Sequence, residues 1–171
     1  MKKILTLIIL VFAFVGFVGC KGDDSLKVCL TSAPDTIDPA LNTSVDGATY
    51  LVHLFEGLVA YKPDSNGVGQ LAPGVAKAIP EPVALEDGKV SYTFELKDGL
   101  KWSDGSALTA DDFVYSWNRA ADPATASDYQ YIFDIIDGYD ELTNGDEDAK
   151  LNVTASEDGK KLTVVLKVDV P

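Results

Sequence analysis

The sequence predicts a mixed α/β fold of the α+β kind, and three segments support that prediction. Residues 90–96 alternate apolar and polar side chains, which is typical of a half-buried strand. Residues 109–123 carry the start signal, the apolar spacing and the stop signal of one amphipathic helix. Residues 151–166 contain two further alternating runs on either side of a turn, which predicts a β-hairpin.

Two turns and a tryptophan follow the first of these strands. Asp98-Gly99 predicts one turn and Ser103-Asp104-Gly105 a second, because Asp can bond its own backbone and Gly accepts a positive φ. Trp102, between them, is expected to pin the second turn rather than to contact a ligand. The residues that share the apolar face of the strand are Tyr92, Phe94 and Leu96.

The helix after these turns has recognisable ends. Thr109 followed by Asp112 resembles a capping box with Asp in place of Glu or Gln, and Asp111 and Asp112 suit the positive end of the helix dipole. Asp122-Pro123 ends the helix. One face carries Phe113, Val114 and Trp117, so Trp117 is expected in the core.

Upstream elements follow in order. Pro34 and Pro39 predict an ordered loop over residues 32–39, followed by a helix that Ser44 or Asp46 can cap and that Gly57 is placed to end. Residues 58–61 predict a strand, and residues 62–69 a hairpin connection. The helix is expected from the spacing of Tyr50, Leu51, Leu54, Phe55 and Leu58.

Downstream of the central helix, two segments differ in character. Residues 129–136 are aromatic and aliphatic, which predicts either a short helix or an extended buried segment. Residues 137–148 are acidic and rich in turn residues, with Gly138 and Gly145 interrupting any long helix. The acidic loop does not fit an EF-hand, because Leu142 and Leu151 stand where oxygen ligands are needed.

The N-terminus has the pattern of a lipoprotein signal peptide. Lys2 and Lys3 precede an apolar run over residues 4–18 that ends in Gly19-Cys20. That run falls short of the ~20 residues that a membrane-spanning helix needs. Residues 1–19 are therefore expected to be removed, Cys20 to carry lipid, and residues 20–26 to form a flexible tether.

The second cysteine and the charge balance restrict the function classes. With Cys20 assigned to lipid no disulfide is expected, and Cys29 is predicted to be a packed thiol in a strand over residues 26–30. Cleavage before Cys20 removes two of the 14 basic side chains, so 12 face 27 acidic ones, a formal charge of −15. This charge disfavours nucleic acid and anionic lipid surfaces as partners.

No pattern in the sequence predicts catalysis, a metal site or a cofactor. A lone His53 inside a helix is more typical of a packing or surface residue than of a catalyst. Gly67-Val68-Gly69 lacks the helix and third glycine of a dinucleotide site, and no nucleophile elbow is present. We therefore expect a binding protein that is not an enzyme.

Several of these segments together resemble the extracytoplasmic solute-binding proteins, family 5, that serve oligopeptide ABC importers. The resemblance is carried by residues 98–105 and 109–117 and extends upstream through Thr36-Ile37-Asp38-Pro39-Ala40 and residues 54–58. Nearly all of the chain after Leu26 is covered. The sequence departs from the family at residues 78–82, where relatives usually carry an aromatic residue after the element Leu71-Ala72-Pro73-Gly74.

The resemblance implies a non-catalytic protein with a two-lobed fold similar to the type II periplasmic binding proteins. Residues 27–171 would be the N-terminal part of its solute-binding domain, truncated before the second lobe. The implied partners are an oligopeptide ligand, an ABC permease complex and the membrane, reached through lipid on Cys20 at the extracytoplasmic face, with the protein a monomer. Dipeptide, nickel-chelate or oligosaccharide cargo, a peptide receptor or adhesin, and a surface-anchored hydrolase stay open as alternatives.

The same resemblance implies four ligand-binding residues. Thr43, Ser44 and Val45 correspond to a peptide-contacting segment that follows the Asp38-Pro39 element, and Tyr129 corresponds to an aromatic that follows Asp122-Pro123. The acidic partner for the amine of the peptide would lie beyond Pro171. Two alternatives stay open: Val45 packed at the start of a helix, and Tyr129 in the core.

Overall fold

The computed structural model describes residues 25, 27–29, 32–146 and 148–168, and the chain divides into two units, 1–30 and 31–171. Among the described residues of the first unit, 27–29 have no regular secondary structure and Cys29 is exposed. The predicted packed thiol in a strand is therefore wrong. Alternation alone does not make a strand, since a strand needs a hydrogen-bonded neighbour, and no ladder of the described residues includes 27–29.

The second unit begins with an irregular loop that leads into helix α1 (Val45–Leu54). Ser44 is the N-cap, because its hydroxyl accepts a hydrogen bond from the backbone N–H of Gly47 at 3.0 Å. Asp46, the other candidate cap, instead accepts a hydrogen bond from the backbone N–H of Ser32 at 3.1 Å. Helix α1 ends at Leu54, so the prediction that Gly57 ends it is wrong.

Backbone pairing explains the early end of α1. The carbonyl of Gly57 accepts a hydrogen bond from Val75 N–H at 2.9 Å, and the carbonyl of Leu58 accepts from Gly74 and Ala76 at 2.9 and 3.2 Å. These bonds require extended backbone at residues 57–58. The chain therefore leaves the helix at Phe55, which has φ −124° and ψ 147°.

The predicted strand and hairpin connection after α1 are confirmed. Strands β1 (Val59–Pro63) and β2 (Gly69–Pro73) pair antiparallel as a two-stranded sheet. Asp64 organises the turn between them, since its carboxylate accepts hydrogen bonds from the backbone of Asn66 and Val68 at 2.8 and 3.0 Å. Gly67 supplies the positive φ of this turn, +80°.

A second sheet of four antiparallel strands contains the other predicted strands. Its strands are β3 (Val83–Ala84), β4 (Val90–Glu95), β5 (Val153–Ala155) and β6 (Lys161–Leu166), in the order β3-β4-β6-β5. Thr93 of β4 lies opposite Thr163 of β6, and their hydroxyl oxygens are 3.0 Å apart on the polar face. The other face carries the apolar residues that alternation predicts, so this part of the prediction is confirmed.

Helix α2 (Ala110–Ala121) packs on the apolar face of this sheet. The carboxylate of Asp112 accepts a hydrogen bond from the Thr109 N–H at 2.7 Å, one half of the predicted capping box. The same carboxylate accepts the indole N–H of Trp102 at 3.4 Å. Trp102 thus fastens the preceding turn to the start of α2, as predicted, and α2 ends at the predicted Asp122-Pro123.

The core lies between α2 and the four-stranded sheet. Trp117 is half-buried there, with its ring 6.5 Å from that of Phe113 and 6.2 Å from that of Phe133, centroid to centroid. Beside Trp117 an apolar pocket of about 330 Å³ opens to solvent between the sheet and residues 132–136. The buried apolar residues of the unit are Leu58, Val75, Ala76, Val90, Leu96, Ala110, Ala121, Ile136, Leu151, Val153, Leu162, Val164 and Leu166.

Two short helical segments follow α2. Gln130–Phe133 forms a 3₁₀-helix, so the short-helix alternative for residues 129–136 is confirmed and the extended one is wrong. Tyr131 and Ile132 are exposed, Gln130 and Phe133 are half-buried, and Ile136 is buried. Four residues of this segment line the open apolar pocket, namely Ile132, Phe133, Ile135 and Ile136. Helix α3 (Tyr139–Thr143) is short, with Gly138 and Gly145 at positive φ on either side, as predicted for the acidic segment.

Within the described residues, no helix is both long enough and apolar enough to span a bilayer. The predicted signal peptide, residues 1–19, and the predicted lipidation site, Cys20, lie outside the described residues.

Candidate functional site

The predicted ligand-contacting segment lies at the start of α1. Thr43 is exposed, Ser44 is half-buried as the N-cap, and Val45 begins the helix with 84% of its surface exposed. Within the described residues Val45 therefore does not pack at the helix start, which disagrees with that alternative for this part of the chain. The segment offers an apolar side chain and the polar groups of a helix N-terminus to solvent.

Side-chain hydrogen bonds define the backbone of this segment. Asn42 donates to the Ser44 carbonyl at 3.1 Å, and the Ser44 hydroxyl donates to the Asn42 side-chain oxygen at 3.2 Å. Gly47 packs against this arrangement, since a Cβ built there would lie 1.7 Å from the Asn42 side-chain oxygen. Glycine at this position lets the loop and the first turn of α1 approach each other.

An ion pair connects this loop to α2. The two terminal guanidinium nitrogens of Arg119, Nη1 and Nη2, donate to the carboxylate oxygens Oδ1 and Oδ2 of Asp38, at 3.0 and 2.6 Å. The hydrogen bond from Arg119 holds the pKa of the Asp38 carboxyl below its usual value, with a further contribution from the Ala40 backbone N–H. Sequence reasoning missed this pair, because its members are 81 positions apart and neither pattern around them identifies the other.

Tyr129 lies just before the 3₁₀-helix and is 46% exposed. Its ring centroid is 6.2 Å from that of Tyr131, with the planes tilted by 51°, and its backbone N–H donates to the Ser127 hydroxyl at 3.3 Å. Within the described residues Tyr129 is therefore not part of the core, which disagrees with the alternative that places it there.

The residue after Tyr129 has an unsatisfied acceptor. The side-chain oxygen of Gln130 is buried without a hydrogen-bond partner, the one such side-chain atom in the part of the chain that the structure describes. A buried acceptor in this state costs free energy unless a donor reaches it. Sequence patterns gave no signal for this residue.

Helix α2 connects the two predicted parts of the site. Arg119, in the last turn of α2, holds the loop that leads to Thr43, and Tyr129 belongs to the segment that continues from the C-terminus of α2. No hydrogen bond or ring contact between described residues joins residues 43–45 to Tyr129. Both segments are therefore connected to the same helix, α2.

No group of three or more His, Cys, Asp or Glu side chains among the described residues could hold a metal ion. His53, on α1, is exposed, with its Nδ1 2.7 Å from the Thr49 carbonyl, as expected for a surface residue.

Comparison with known proteins identifies the family of the chain. The family model described as bacterial extracellular solute-binding proteins, family 5 Middle, matches residues 70–171. The periplasmic oligopeptide-binding protein OppA of Escherichia coli (strain K12) is 40% identical over 143 residues, which cover 82% of this chain and 24% of that protein. The probable deoxycholate-binding periplasmic protein YgiS of the same organism is 39% identical over 143 residues, covering 82% of this chain and 25% of that protein.

A solved structure shows the same fold. Haemophilus influenzae OppA in complex with RPPGFSPFR aligns with a TM-score of 0.67 and 31% sequence identity, covering 81% of this chain and 26% of that chain. The chain thus spans about a quarter of the length of these relatives. The mixed α/β fold class and the resemblance identified in the sequence are confirmed, and the chain belongs to the bacterial extracellular solute-binding proteins, family 5.

Proposed function

We propose that this chain is the N-terminal part of a lipid-anchored, two-lobed solute-binding protein that captures oligopeptides and delivers them to an ABC permease. The protein performs no chemical step in this scheme. Ligand bridges two lobes and favours a closed form that the permease recognises. Residues 27–171 contribute one wall of the site, the remainder comes from polypeptide beyond Pro171, and the protein acts as a monomer.

The observation that carries this proposal is the exposed segment Thr43-Ser44-Val45 at the start of α1. Its backbone is defined by the hydrogen bonds of Asn42 and Ser44, while Val45 stays exposed. An extended peptide can add to such a segment through backbone hydrogen bonds, which do not depend on the side chains of the peptide. Water-filled pockets around the peptide then accept different side chains. Tyr129 offers an exposed aromatic face to the same ligand.

The anchoring part of the proposal rests on residues 1–26. Residues 1–19 act as the signal peptide, Cys20 carries the lipid and residues 20–26 are the tether, which places the protein on the extracytoplasmic face of a membrane. Replacing Cys20 by Ser should remove the lipid mass from the mature N-terminus and release the protein from membranes. A variant that stays bound, together with a wild type that carries no lipid at Cys20, contradicts this part.

The main alternative within the family is a ligand other than an oligopeptide. Dipeptides, nickel chelates and oligosaccharides are candidates, and the similarity to a protein named for deoxycholate adds a fourth kind of ligand. A peptide receptor or adhesin without transport uses the same site. A surface-anchored hydrolase is the weakest alternative, because no group of three or more His, Cys, Asp or Glu side chains among the described residues could hold a catalytic metal.

Calorimetry on the natural full-length protein tests the cargo. A mixed library of oligopeptides should bind with a Kd of about 1 µM or tighter, which corresponds to about −8 kcal/mol. Deoxycholate, a nickel chelate, a dipeptide and an oligosaccharide serve as competitors. Tight binding of one of these, with none for oligopeptides, contradicts the proposal. Residues 20–171 alone should bind the oligopeptides weakly, because a site between two lobes needs both lobes.

A proline substitution tests the segment directly. Val45→Pro removes one backbone N–H but keeps α1, because proline is accepted at the first position of a helix and Ser44 already has the extended backbone that precedes proline. Loss of one hydrogen bond should weaken peptide binding about threefold to tenfold. Val45→Ala, which keeps the N–H, is the control. Equal affinities of the two variants would show that this N–H does not contact the peptide.

A further inference from the structure

The loop before α1 is held by local hydrogen bonds around one residue. The Asp38 N–H donates to the Thr36 hydroxyl at 3.0 Å, and the Asp38 carboxylate accepts from the Ala40 N–H at 3.0 Å. The Asp38 carbonyl accepts from the N–H groups of Leu41 and Asn42 at 3.1 and 3.0 Å. Asp38 therefore organises the whole turn over residues 36–42, which has no regular secondary structure.

Arg119 fixes this turn relative to α2. The guanidinium donates to both oxygens of Asp38, so the pair has a defined distance and a defined orientation, unlike a single contact from a lysine. Arg119 lies in the last turn of α2, which packs on the four-stranded sheet. The ion pair therefore connects an irregular loop to a rigid element.

The influence of this pair reaches the predicted ligand segment through consecutive hydrogen bonds. Asn42, whose N–H is bound to the Asp38 carbonyl, exchanges two side-chain hydrogen bonds with Ser44. Ser44 in turn caps α1 through Gly47. A chain of hydrogen bonds thus runs from Arg119 to Asp38, from Asp38 to Asn42 and from Asn42 to Ser44, the residue directly before Val45.

We propose that Asp38 and Arg119 are positioning residues for the peptide site: they hold residues 43–45 in the conformation that binds ligand. This inference rests on the proposed function. The two side chains are 29% and 35% exposed, and pairs this exposed contribute little to global stability. Their main effect is to order the loop before ligand arrives, so that binding does not have to supply the ordering entropy.

The chain contains a matched control pair. Lys89 and Asp137 form an ion pair at 2.8 Å, with side chains 38% and 24% exposed. Among the described residues, no hydrogen bond or ion pair joins either of them to residues 36–47. Asp38→Asn and Arg119→Met are compared with Asp137→Asn and Lys89→Met in the natural full-length protein. Arg119→Lys keeps the charge without the two-pronged contact, and it serves where a neutral variant fails to fold.

Three quantities are measured for each variant: the Kd for an oligopeptide, the melting temperature, and the amide exchange rates of Leu41, Asn42 and Gly47. Breaking the Asp38–Arg119 pair should weaken the Kd about tenfold, since one or two residues must then be ordered on binding. Exchange at the three amides should quicken. The control variants should show similar small changes in melting temperature, with the Kd and those exchange rates unchanged.

Equal losses of affinity in both sets of variants, or unchanged exchange at residues 41–47 after Asp38→Asn, overturn the positioning role. A wild-type protein that binds no oligopeptide overturns the proposed function instead. In that case the amide exchange rates still show whether the Asp38–Arg119 pair orders residues 41–47. Failure of the positioning role and failure of the proposed function are therefore distinguishable.

Discussion

Two regions of this chain are ordered by different interactions. The sheet–helix region (residues 83–166) contains the four-stranded sheet, α2 and ten buried apolar residues. The loop–hairpin region (residues 32–73) contains α1 and the β1–β2 hairpin, yet Leu58 is its one buried apolar residue among those described. In α1 itself only Gly47 is buried. The first region is held by a core, whereas the second is held by caps, turns and backbone pairing.

The difference concerns function as much as stability. A surface that binds a ligand must leave apolar and polar groups accessible, so it cannot use them to build a core. Val45 and Tyr129 are exposed, Ser44 exchanges hydrogen bonds with Asn42, and we propose that the Asp38–Arg119 pair helps to hold Thr43–Val45. Substitutions that remove core volume should therefore destabilise mainly the sheet–helix region. Substitutions that disturb a close backbone contact or an ion pair should mainly affect the loop–hairpin region.

The largest expected effect is a difference in free energy of unfolding between two leucine-to-alanine variants of residues 20–171. Leu162 in β6 is fully buried, so Leu162→Ala should lower the free energy of unfolding by about 4 kcal/mol. Leu54 at the end of α1 is exposed, so Leu54→Ala should change the free energy of unfolding by less than about 0.5 kcal/mol. Urea unfolding measures both. Similar costs would contradict the comparison, and a cost for Leu54→Ala that appears only in a longer chain would show that further polypeptide covers α1.

Next in size is the contrast between Trp117 and Tyr129. Trp117→Ala should cost about 3 kcal/mol, at the low end for a large aromatic because the ring is half-buried beside an open pocket. Tyr129→Ala should leave the melting temperature nearly unchanged and weaken peptide binding in the full-length protein. Tyr115→Ala, at a tyrosine that is 70% exposed, is the control and should change neither.

If Tyr129→Ala melts the protein as Trp117→Ala does, without a specific loss of affinity, Tyr129 supports the fold rather than the ligand. If Tyr115→Ala weakens binding equally, loss of any exposed tyrosine explains the result, and Tyr129 has no special place in the site.

A smaller effect is expected where the loop–hairpin region depends on a close backbone contact. A Cβ at Gly74 would lie 2.2 Å from the Gly57 carbonyl oxygen, so Gly74→Ala should cost about 2 kcal/mol through the backbone shift it forces. Gly69→Ala is the control, since its Cβ would meet nothing closer than 4.0 Å. Thermal unfolding of both variants measures this, and a neutral Gly74→Ala would mean that residues 57–58 do not need their pairing with residues 74–76.

The smallest effect concerns pH. Because the hydrogen bond from Arg119 lowers the pKa of folded Asp38, this residue contributes stability above its unfolded pKa of about 3.9, and the contribution is lost as pH falls through the folded pKa. A carboxyl-carbon NMR titration should show the lowered pKa, and Arg119→Met should raise it. Lys89→Met should leave Asp38 unchanged while raising the pKa of Asp137, which Asn152 and Lys89 hold down. An unchanged Asp38 titration in Arg119→Met contradicts the ion pair.

Sequence reasoning succeeded where local rules decide. Alternation placed β4 and the β5–β6 hairpin, and the capping pattern at Thr109 and the stop at Pro123 placed α2 within one or two residues. It failed at Gly57, because the end of α1 depends on hydrogen bonds to residues 74–76 that no local pattern contains. It failed also at Cys29, because residues 27–29 belong to none of the strands that the structure describes although their side chains alternate.

For the candidate site, the sequence identified the segment and the tyrosine but not what holds them. Resemblance to the family pointed to Thr43, Ser44, Val45 and Tyr129, and these assignments stay predictions. Their exposure could not be foreseen, since Val45 and Tyr129 are residue types that also occur in cores. The Asp38–Arg119 pair and the unsatisfied oxygen of Gln130 emerged only from the structure.

The sequence by itself determined β4, the β5–β6 hairpin and α2, because side-chain periodicity, caps and turn residues act over a few positions. Tertiary structure alone decided where α1 ends, which apolar residues stay exposed, and that Arg119 reaches Asp38 across 81 positions. The physical reason is that burial and ion pairing depend on which distant segments meet. Loop closure and packing determine which distant segments come into contact, and neither can be read from the local residue pattern.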